Sequence, residues 1–449
     1  MSERFAGEQA VVVGAGVAGT GSARALSAEG ARVLVTEARP EVELPSAAEL
    51  RALGVEVRAG GNEPSHLEGA TLVVTGPGVP PDAEVLRWAR ERGLPVWGEM
   101  ELGARLARAP YLAVTGTNGK TTVTSMIEAC LRAGGYDALA CGNIGLSFPE
   151  AAREERDVLV VEVSSFQLAI QESFHPTISV LLNVAPDHLD WHGTFEGYLE
   201  AKERIHALQT GTDVHIGNRD DPVAAEISSR ATCLLRWFRK GPPEEGEVGY
   251  VGDELVAHVE GIHRLGMIDA GRAGYREDAA AAAAVALSYG VDPAAAAAAL
   301  AGFLPGPHRG EVVATVGRVR FVDNSKATNV HAAAAAIDGA GDAVLIAGGR
   351  AKGVDLSPLK AHTGRLRAVI AIGEAAADVV AVFEGSAPTT VAGSIEDAVR
   401  DAFAAAAPGD TVLLAPACAS WDQFVSYAER GDRFAAAARS LRAEAGARG

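Results

Sequence analysis

The stretch Val114-Thr115-Gly116-Thr117-Asn118-Gly119-Lys120-Thr121-Thr122 constrains this 449-residue chain more than any other. An apolar run over 111–115 ends in a tight glycine turn, and Lys-Thr then opens a helix that runs to about residue 133. Glycines let backbone N–H groups approach phosphate oxygens, and the helix N-terminus adds positive potential. In such a turn Gly116, Thr117, Asn118 and Gly119 form a phosphate cradle that Thr122 borders. Lys120 reaches the β- and γ-phosphates, and the Thr121 hydroxyl is placed for Mg²⁺. Val114 stands where the full GxxxxGK string has glycine, so the match is to strand, turn and helix.

Two more α/β segments flank this one. The first opens with Ala10-Val11-Val12-Val13, a glycine turn and a helix-forming stretch over 21–29. Strands follow at 32–36 and 70–75, and the pattern fades near Trp97-Gly98. The middle segment continues with strands at 157–163 and 177–183 and a Pro/Gly-rich hairpin excursion near 241–252. Alanine-rich helices at 278–288 and 293–300 follow, the second with Asp292 as N-cap and Pro293 at its first position. From about Leu304, strands at 318–322, 343–347, 368–372 and 411–415 alternate with helices. This order predicts an α/β fold of three domains: Rossmann-like over 1–98, a central P-loop ATPase-type parallel sheet over 99–303, and a Rossmann-like parallel sheet over 304–449. The alanine tracts at 279–284, 294–299 and 332–336 read as biased composition in good helix formers, not as a repeat.

Charge and cysteine usage exclude several classes. A net charge of −18 leaves no broad basic surface for nucleic acid, and an anionic substrate must be held by local groups. The cysteines Cys130, Cys141, Cys233 and Cys418 form no CxxC pair, which argues against a disulfide framework and a zinc site. No apolar run approaches a membrane span, and the N-terminus lacks the pattern of a secretory signal, so a cytoplasmic protein without a membrane partner is expected.

Other candidate residues sit at strand ends. Glu162 closes the strand at 157–163 and is suited to hold Mg²⁺ directly or through water, although a strand-end glutamate taken alone is more often a solvated surface residue. Asp187-His188-Leu189-Asp190 lies beyond another strand, with a polar turn as its simpler reading. Gly14-Ala15-Gly16-Val17-Ala18-Gly19 is a literal GxGxxG after the first strand, and Glu37 ends the second strand. That pair fits a dinucleotide, but the same turn holds any pyrophosphate.

The loop at 115–122, the string Val161–Leu168, Asn183–Asp190, Gly142–Gly145, Pro307-His308-Arg309, Asp323–Asn329 and Ala415–Phe424 together resemble the Mur ligases, in order along essentially the whole chain. The resemblance implies ATP-dependent coupling of glutamate to UDP-N-acetylmuramoyl-L-alanine through an acyl phosphate, by a monomer with two Mg²⁺ sites. It assigns Gly14, Gly16, Gly19 and Glu37 to the UDP end of the substrate and Asn143 to the uridine-linked substrate. Arg309, Lys326, Asn324 and Asp278 fall to ATP, and Thr328, Lys352, Ser420 and Tyr427 to the incoming glutamate. Thr121 and Glu162 match the first metal's ligands, and His188 the second's. Lys202, in the string Tyr198–Ile205, matches a lysine that is carbamylated in this family; on sequence alone it is a solvated helix lysine.

The sequence departs from the family around the nucleotide. Where a His-Asn-x-x-Asn string is usual, this chain reads Gly274-Tyr275-Arg276-Glu277-Asp278, and Asn324 replaces the usual aspartate before Ser325. An N-cap for the following helix is the simpler reading of Asp278. Three alternatives stay open: a paralogue adding L-glutamate, an NAD-linked oxidoreductase built on Gly14–Gly19, and a non-catalytic nucleotide-binding protein.

Overall fold

The computed structural model describes residues 4–268, 275–351 and 353–447, so Gly274 and the candidate Lys352 lie outside it. The first sheet contains β1 (Gln9–Val13), β2 (Arg32–Glu37), β3 (Glu56–Ala59), β4 (Leu72–Thr75) and β5 (Val96–Gly98), in the order β3-β2-β1-β4-β5. All its pairs are parallel. Central β1 is apolar at consecutive positions, Ala10 to Val13, because both its faces are covered. Gly14, at φ +94°, turns the chain into helix α1 (Val17–Ala28). Glycine is required at Gly19, where a Cβ would lie 1.9 Å from the Gly14 carbonyl oxygen. Helix α2 (Glu99–Leu106) leads from β5 towards the second sheet.

That sheet has nine strands: β6 (Tyr111–Thr115), β7 (Ala138–Gly142), β8 (Val158–Glu162), β9 (Ile178–Leu181), β10 (Val214–Asn218), β11 (Leu234–Phe238), β12 (Glu247–Val251), β13 (Glu254–His258) and β14 (Ile262–Met267). Their order is β14-β13-β12-β11-β10-β9-β6-β8-β7. The sheet is parallel from β7 to β12, as expected, and antiparallel beyond, where the hairpin adds β13 and β14. The hairpin lies later than expected, at β12–β13, because Gly252 at φ +63° supplies its turn. Helix α3 (Lys120–Ala133) follows β6, and α4 (Phe195–Glu203) lies between β9 and β10. Helices α5 (Tyr275–Tyr289) and α6 (Pro293–Ala301) come last, with the Asp292 carboxylate accepting from Ala294 and Ala295 N–H as its capping role requires. The tract Ala279–Ala284 is fully buried, so its small side chains serve close packing of α5 as well as helix propensity.

The third sheet holds β15 (Glu311–Val316), β16 (Val319–Asp323), β17 (Ala343–Gly348), β18 (Leu366–Ile372), β19 (Thr389–Val391) and β20 (Thr411–Leu414), ordered β15-β16-β20-β17-β18-β19. Its central pairs are parallel, and Gly317, at φ +59°, folds β15 back as an antiparallel edge strand on β16. Helix α7 (Tyr427–Ala447) closes the chain.

Two compact units emerge. One comprises residues 1–184, 196–268 and 277–302; the other comprises 185–195, 269–276 and 303–449. Within the first, one core cluster runs through both sheets, from Val12 and Leu26 to Phe148, Val161 and Ile205. No helix among the described residues is long and apolar enough to cross a membrane.

Candidate active site

Strands β6 and β8 are parallel neighbours with Val114 opposite Glu162. The glycine loop leaving β6 and the acid ending β8 therefore emerge side by side at the carboxyl edge of the sheet, where open α/β sheets hold ligands. The loop is braced from β9 and α4. Thr117 N–H donates to the Asn183 carbonyl at 2.9 Å, Asn118 N–H donates to Asn183 Oδ1 at 2.8 Å, and the Thr117 hydroxyl bonds the Tyr198 hydroxyl at 2.8 Å. Gly116 has no room for a side chain, since a Cβ would meet Leu182 Cβ at 2.9 Å. Thr121 is half-buried and Thr122 buried at the start of α3.

Two lysines share one carbonyl. Lys120 Nζ donates to Gly116 and Thr117 oxygens at 2.8 and 2.9 Å, and Lys202 Nζ donates to the same Gly116 oxygen at 2.8 Å. Lys202 is only 1% exposed and lies over the Tyr198 ring, 4.7 Å from its centroid. It is not the solvated helix lysine that its sequence context alone suggests.

Glu162 is 2% exposed, which removes the surface reading. Its Oε1 accepts from Asn143 Nδ2 at 2.9 Å, and its buried Oε2 has no hydrogen-bond partner. A desolvated carboxylate oxygen without a donor is costly unless a cation meets it, so the residues present fit a divalent metal at this strand end. Asp278 lies in the first turn of α5, whose start at Tyr275 excludes Asp278 as its N-cap. A Cβ on Gly119 would meet Asp278 Oδ1 at 2.5 Å, so this carboxylate abuts the loop.

A cavity of about 680 Å³ adjoins this edge, lined by Gly14, Gly16, Gly19, Glu37, Glu99 and Asn143 among others. Glu37 accepts from Ala15 N–H at 2.8 Å, from Arg39 N–H at 3.0 Å and from the Arg39 guanidinium at 2.9 Å. Burial pushes its pKa up, but these hydrogen bonds outweigh burial and hold it at about 2. The carboxylate that an NAD site would turn to a ribose is thus already engaged in fixing the glycine loop. Glu99 accepts from Gln167 Nε2 at 3.0 Å, and burial raises its pKa to about 7.

His188, Arg309, Asn324, Lys326, Thr328, Ser420 and Tyr427 belong to the second unit. His188 has left-handed φ of 55°, and its Nε2 lies 3.6 Å from Asp187 Oδ2; Asn329 Nδ2 donates to the same Asp187 oxygen at 3.4 Å. Lys326 Nζ sits 3.9 Å from the centre of the Tyr427 ring. Thr328 N–H donates to the Lys326 carbonyl at 2.8 Å, Asn324 N–H donates to Leu414 oxygen at 2.9 Å, and Ser420 is buried. Arg309 is half-buried and follows His308, whose Nδ1 pairs with Asp323 Oδ2 at 2.7 Å. The loop, Glu162, Asn143, Lys202 and Asp278 are brought together within the first unit. Sequence reasoning missed the bracing residues Asn183, Tyr198, Gln167 and Glu99. For Tyr198 a signal existed, since it precedes Lys202 by one helical turn.

Three family models match: "Mur ligase MurD-like, N-terminal domain" over 8–98, "Mur ligase middle domain" over 114–238 and "Mur ligase, glutamate ligase domain" over 308–418. The UDP-N-acetylmuramoylalanine–D-glutamate ligase of Frankia casuarinae is 45% identical, with 97% of this chain and 95% of that protein covered. The chain belongs to the Mur ligase family. The ligase of the same name from Thermobifida fusca is 42% identical to this Mur ligase over 97% of the chain and 99% of the relative. Among solved structures, UDP-N-acetylmuramate-alanine ligase MurC from Thermotoga maritima has the same fold, with TM-score 0.61, 17% identity and coverage of 96% of this chain and 99% of that one. As a Mur ligase the protein is an ATP-dependent enzyme that forms a carbon–nitrogen bond.

Proposed function

We infer that this Mur ligase couples D-glutamate to UDP-N-acetylmuramoyl-L-alanine in cytoplasmic peptidoglycan precursor synthesis, acting as a monomer of three domains divided at 98/99 and 303/304. The observation that carries the chemistry is the pairing of a phosphate loop with a buried, unpartnered carboxylate oxygen on the adjacent strand, Glu162 Oε2. The amino-acid choice rests on relatives whose printed name is D-glutamate ligase, at 37–45% identity. The L-glutamate alternative differs only in one stereocentre.

Mg²⁺, when bound, neutralises charge on the transferring phosphoryl group and its leaving oxygen. In this reading Thr121 and Glu162 would hold the first ion; carbamylated Lys202 of the first unit and His188 of the second are the residues assigned to the other ion. Lys202 is buried and shares the Gly116 carbonyl oxygen with Lys120, which places it beside the phosphate loop. A neutral amine is the form that adds carbon dioxide to become a carbamate. The loop N–H groups of residues 116–122 and Lys120, in the first unit, would hold the triphosphate, and Asp278 falls to the base and sugar; in the second unit Arg309 and Lys326 are the candidates for the phosphates and Asn324 for the base and sugar. The cavity at Gly14, Gly16 and Gly19 takes the UDP end, with Glu37 fixing that loop and Asn143, which lines the same cavity, contacting the uridine-linked substrate. An alanyl carboxylate oxygen of the substrate attacks the γ-phosphorus and ADP leaves. The glutamate amine, placed by Thr328, Lys352, Ser420 and Tyr427, then attacks the acyl carbon; phosphate departs and the amine proton is released. Positioning and charge stabilisation supply most of the rate.

The acyl phosphate step is tested with substrate carrying ¹⁸O in its alanyl carboxylate. One ¹⁸O must appear in the released phosphate for each amide formed. Phosphate containing no label would rule out this route.

A further inference from the structure

Arg430 is fully buried one turn into α7, yet it has no carboxylate partner among its hydrogen bonds. Its Nε donates to Ser325 Oγ at 3.0 Å. One terminal nitrogen donates to Cys418 and Ala419 oxygens at 3.2 and 3.3 Å, and the other to Ser325 and Cys418 oxygens at 3.0 and 3.2 Å. Gly349, at φ +128°, approaches so closely that a Cβ there would meet Ala419 oxygen at 2.2 Å and Arg430 at 3.2 Å. Strands β16 and β20 are neighbours in the sheet, so this one guanidinium ties together the chain segments leaving both, with the segment leaving β17 packed against it at Gly349. Ser325 Oγ also donates to the Tyr427 carbonyl at 2.7 Å, which binds the first turn of α7 into the same cluster.

Its hydrogen bonds go to neutral oxygens while the Asp422 and Asp323 carboxylates favour its charge from nearby, and a buried cation held in this way costs more than a well-packed apolar side chain of similar volume. Burial lowers the Arg430 pKa only to about 10, so it keeps its charge at neutral pH. Its planar fork meets acceptors on diverging loops at once, which the point charge of a lysine does not do. The geometry points to Arg430 as a positioning residue for the amino-acid acceptor: it fixes the loops carrying Thr328 and Ser420. This rests on the glutamate-ligase reading given above.

The test is steady-state kinetics on the full chain with Arg430→Lys and the milder Ser325→Ala, alongside thermal unfolding. Arg430→Lys should raise the glutamate KM by about tenfold or more, the scale of one or two lost charge-assisted bonds, and leave the KM for the UDP-linked substrate within about twofold. Ser325→Ala should shift glutamate KM in the same direction by roughly threefold. Methylguanidinium should restore part of the glutamate affinity of Arg430→Ala. A lowered Tm with unchanged glutamate KM in Arg430→Lys would make the residue merely structural and overturn the proposal. Should Arg430→Lys not fold, unchanged glutamate KM in folded Ser325→Ala overturns it equally. Wild-type protein that ligates no glutamate overturns the functional reading itself, a result visible before any variant is made.

Discussion

Lys120 and Asp278 bring opposite charges to the phosphate loop, and each makes a separable prediction. The Lys120 ammonium is already aimed into the loop by two carbonyls, so it meets a triphosphate without reorganisation. Lys120→Ala should abolish ligation, a loss of about 4 kcal/mol or more in transition-state stabilisation, with cooperative unfolding retained. Near-normal turnover would contradict the role. The Asp278 carboxylate abuts Gly119, where it is an acceptor only, whereas asparagine also donates. Asp278→Asn should lower the ATP KM by up to about tenfold, one regained hydrogen bond, without conferring use of GTP. An unchanged ATP KM, or preferred GTP use by the unmodified protein, counts against this account. Lys202→Ala should lose activity and recover part of it with short-chain carboxylates that supply the missing anion; full activity without additive refutes the carbamate. The identities of Lys120, Glu162 and Lys202 were legible in local strings, but their burial was not. Lys202 is enclosed by Tyr198 and by a loop 86 residues away, and Arg430 reaches Ser325 across 105 residues, distances at which a single sequence carries no signal.

Strands buried on both faces, such as β1, β6 and β17, announce themselves as continuous apolar runs, and the sequence reading located them within a residue or two. Strands β14 and β15 were missed because they lie at sheet edges and mix exposed with buried positions. Helix α2 was missed although it carries Glu99 into the wall of the substrate cavity. Burial raises Glu99 from 4.5 to about 7, opposed by hydrogen bonds from Gln167 and Phe148. A carboxyl raised in the fold favours the folded state below the unfolded value and loses that contribution as pH rises through about 7. Glu99→Gln, which mimics the neutral acid, should therefore gain stability over wild type as pH goes from 5 to 8, by on the order of 3 kcal/mol at the upper end. Melting temperatures of both proteins across that range decide it; parallel curves would show that Glu99 ionises without cost.

At the scale of the whole molecule, a chain of net charge −18 handles ATP, a uridine diphosphate and glutamate, all of them anions. Such binding rests on local devices, for which the candidates are the glycine loops at helix starts and Lys120 within the first unit and Lys326 within the second. The family was legible because its strings recur in order across all three sheets. The compact units were not, since the segment at 185–195 groups with the C-terminal residues rather than with its sequence neighbours. The central claim is the reaction itself, and one measurement tests it most directly. Purified protein is given ATP, Mg²⁺ and UDP-N-acetylmuramoyl-L-alanine with either D- or L-glutamate, and the UDP-linked product is quantified by mass against released phosphate. Stoichiometric product and phosphate with D-glutamate, and little of either with L-glutamate, is the predicted result. Product with L-glutamate in preference, or no product with either enantiomer, would contradict the account.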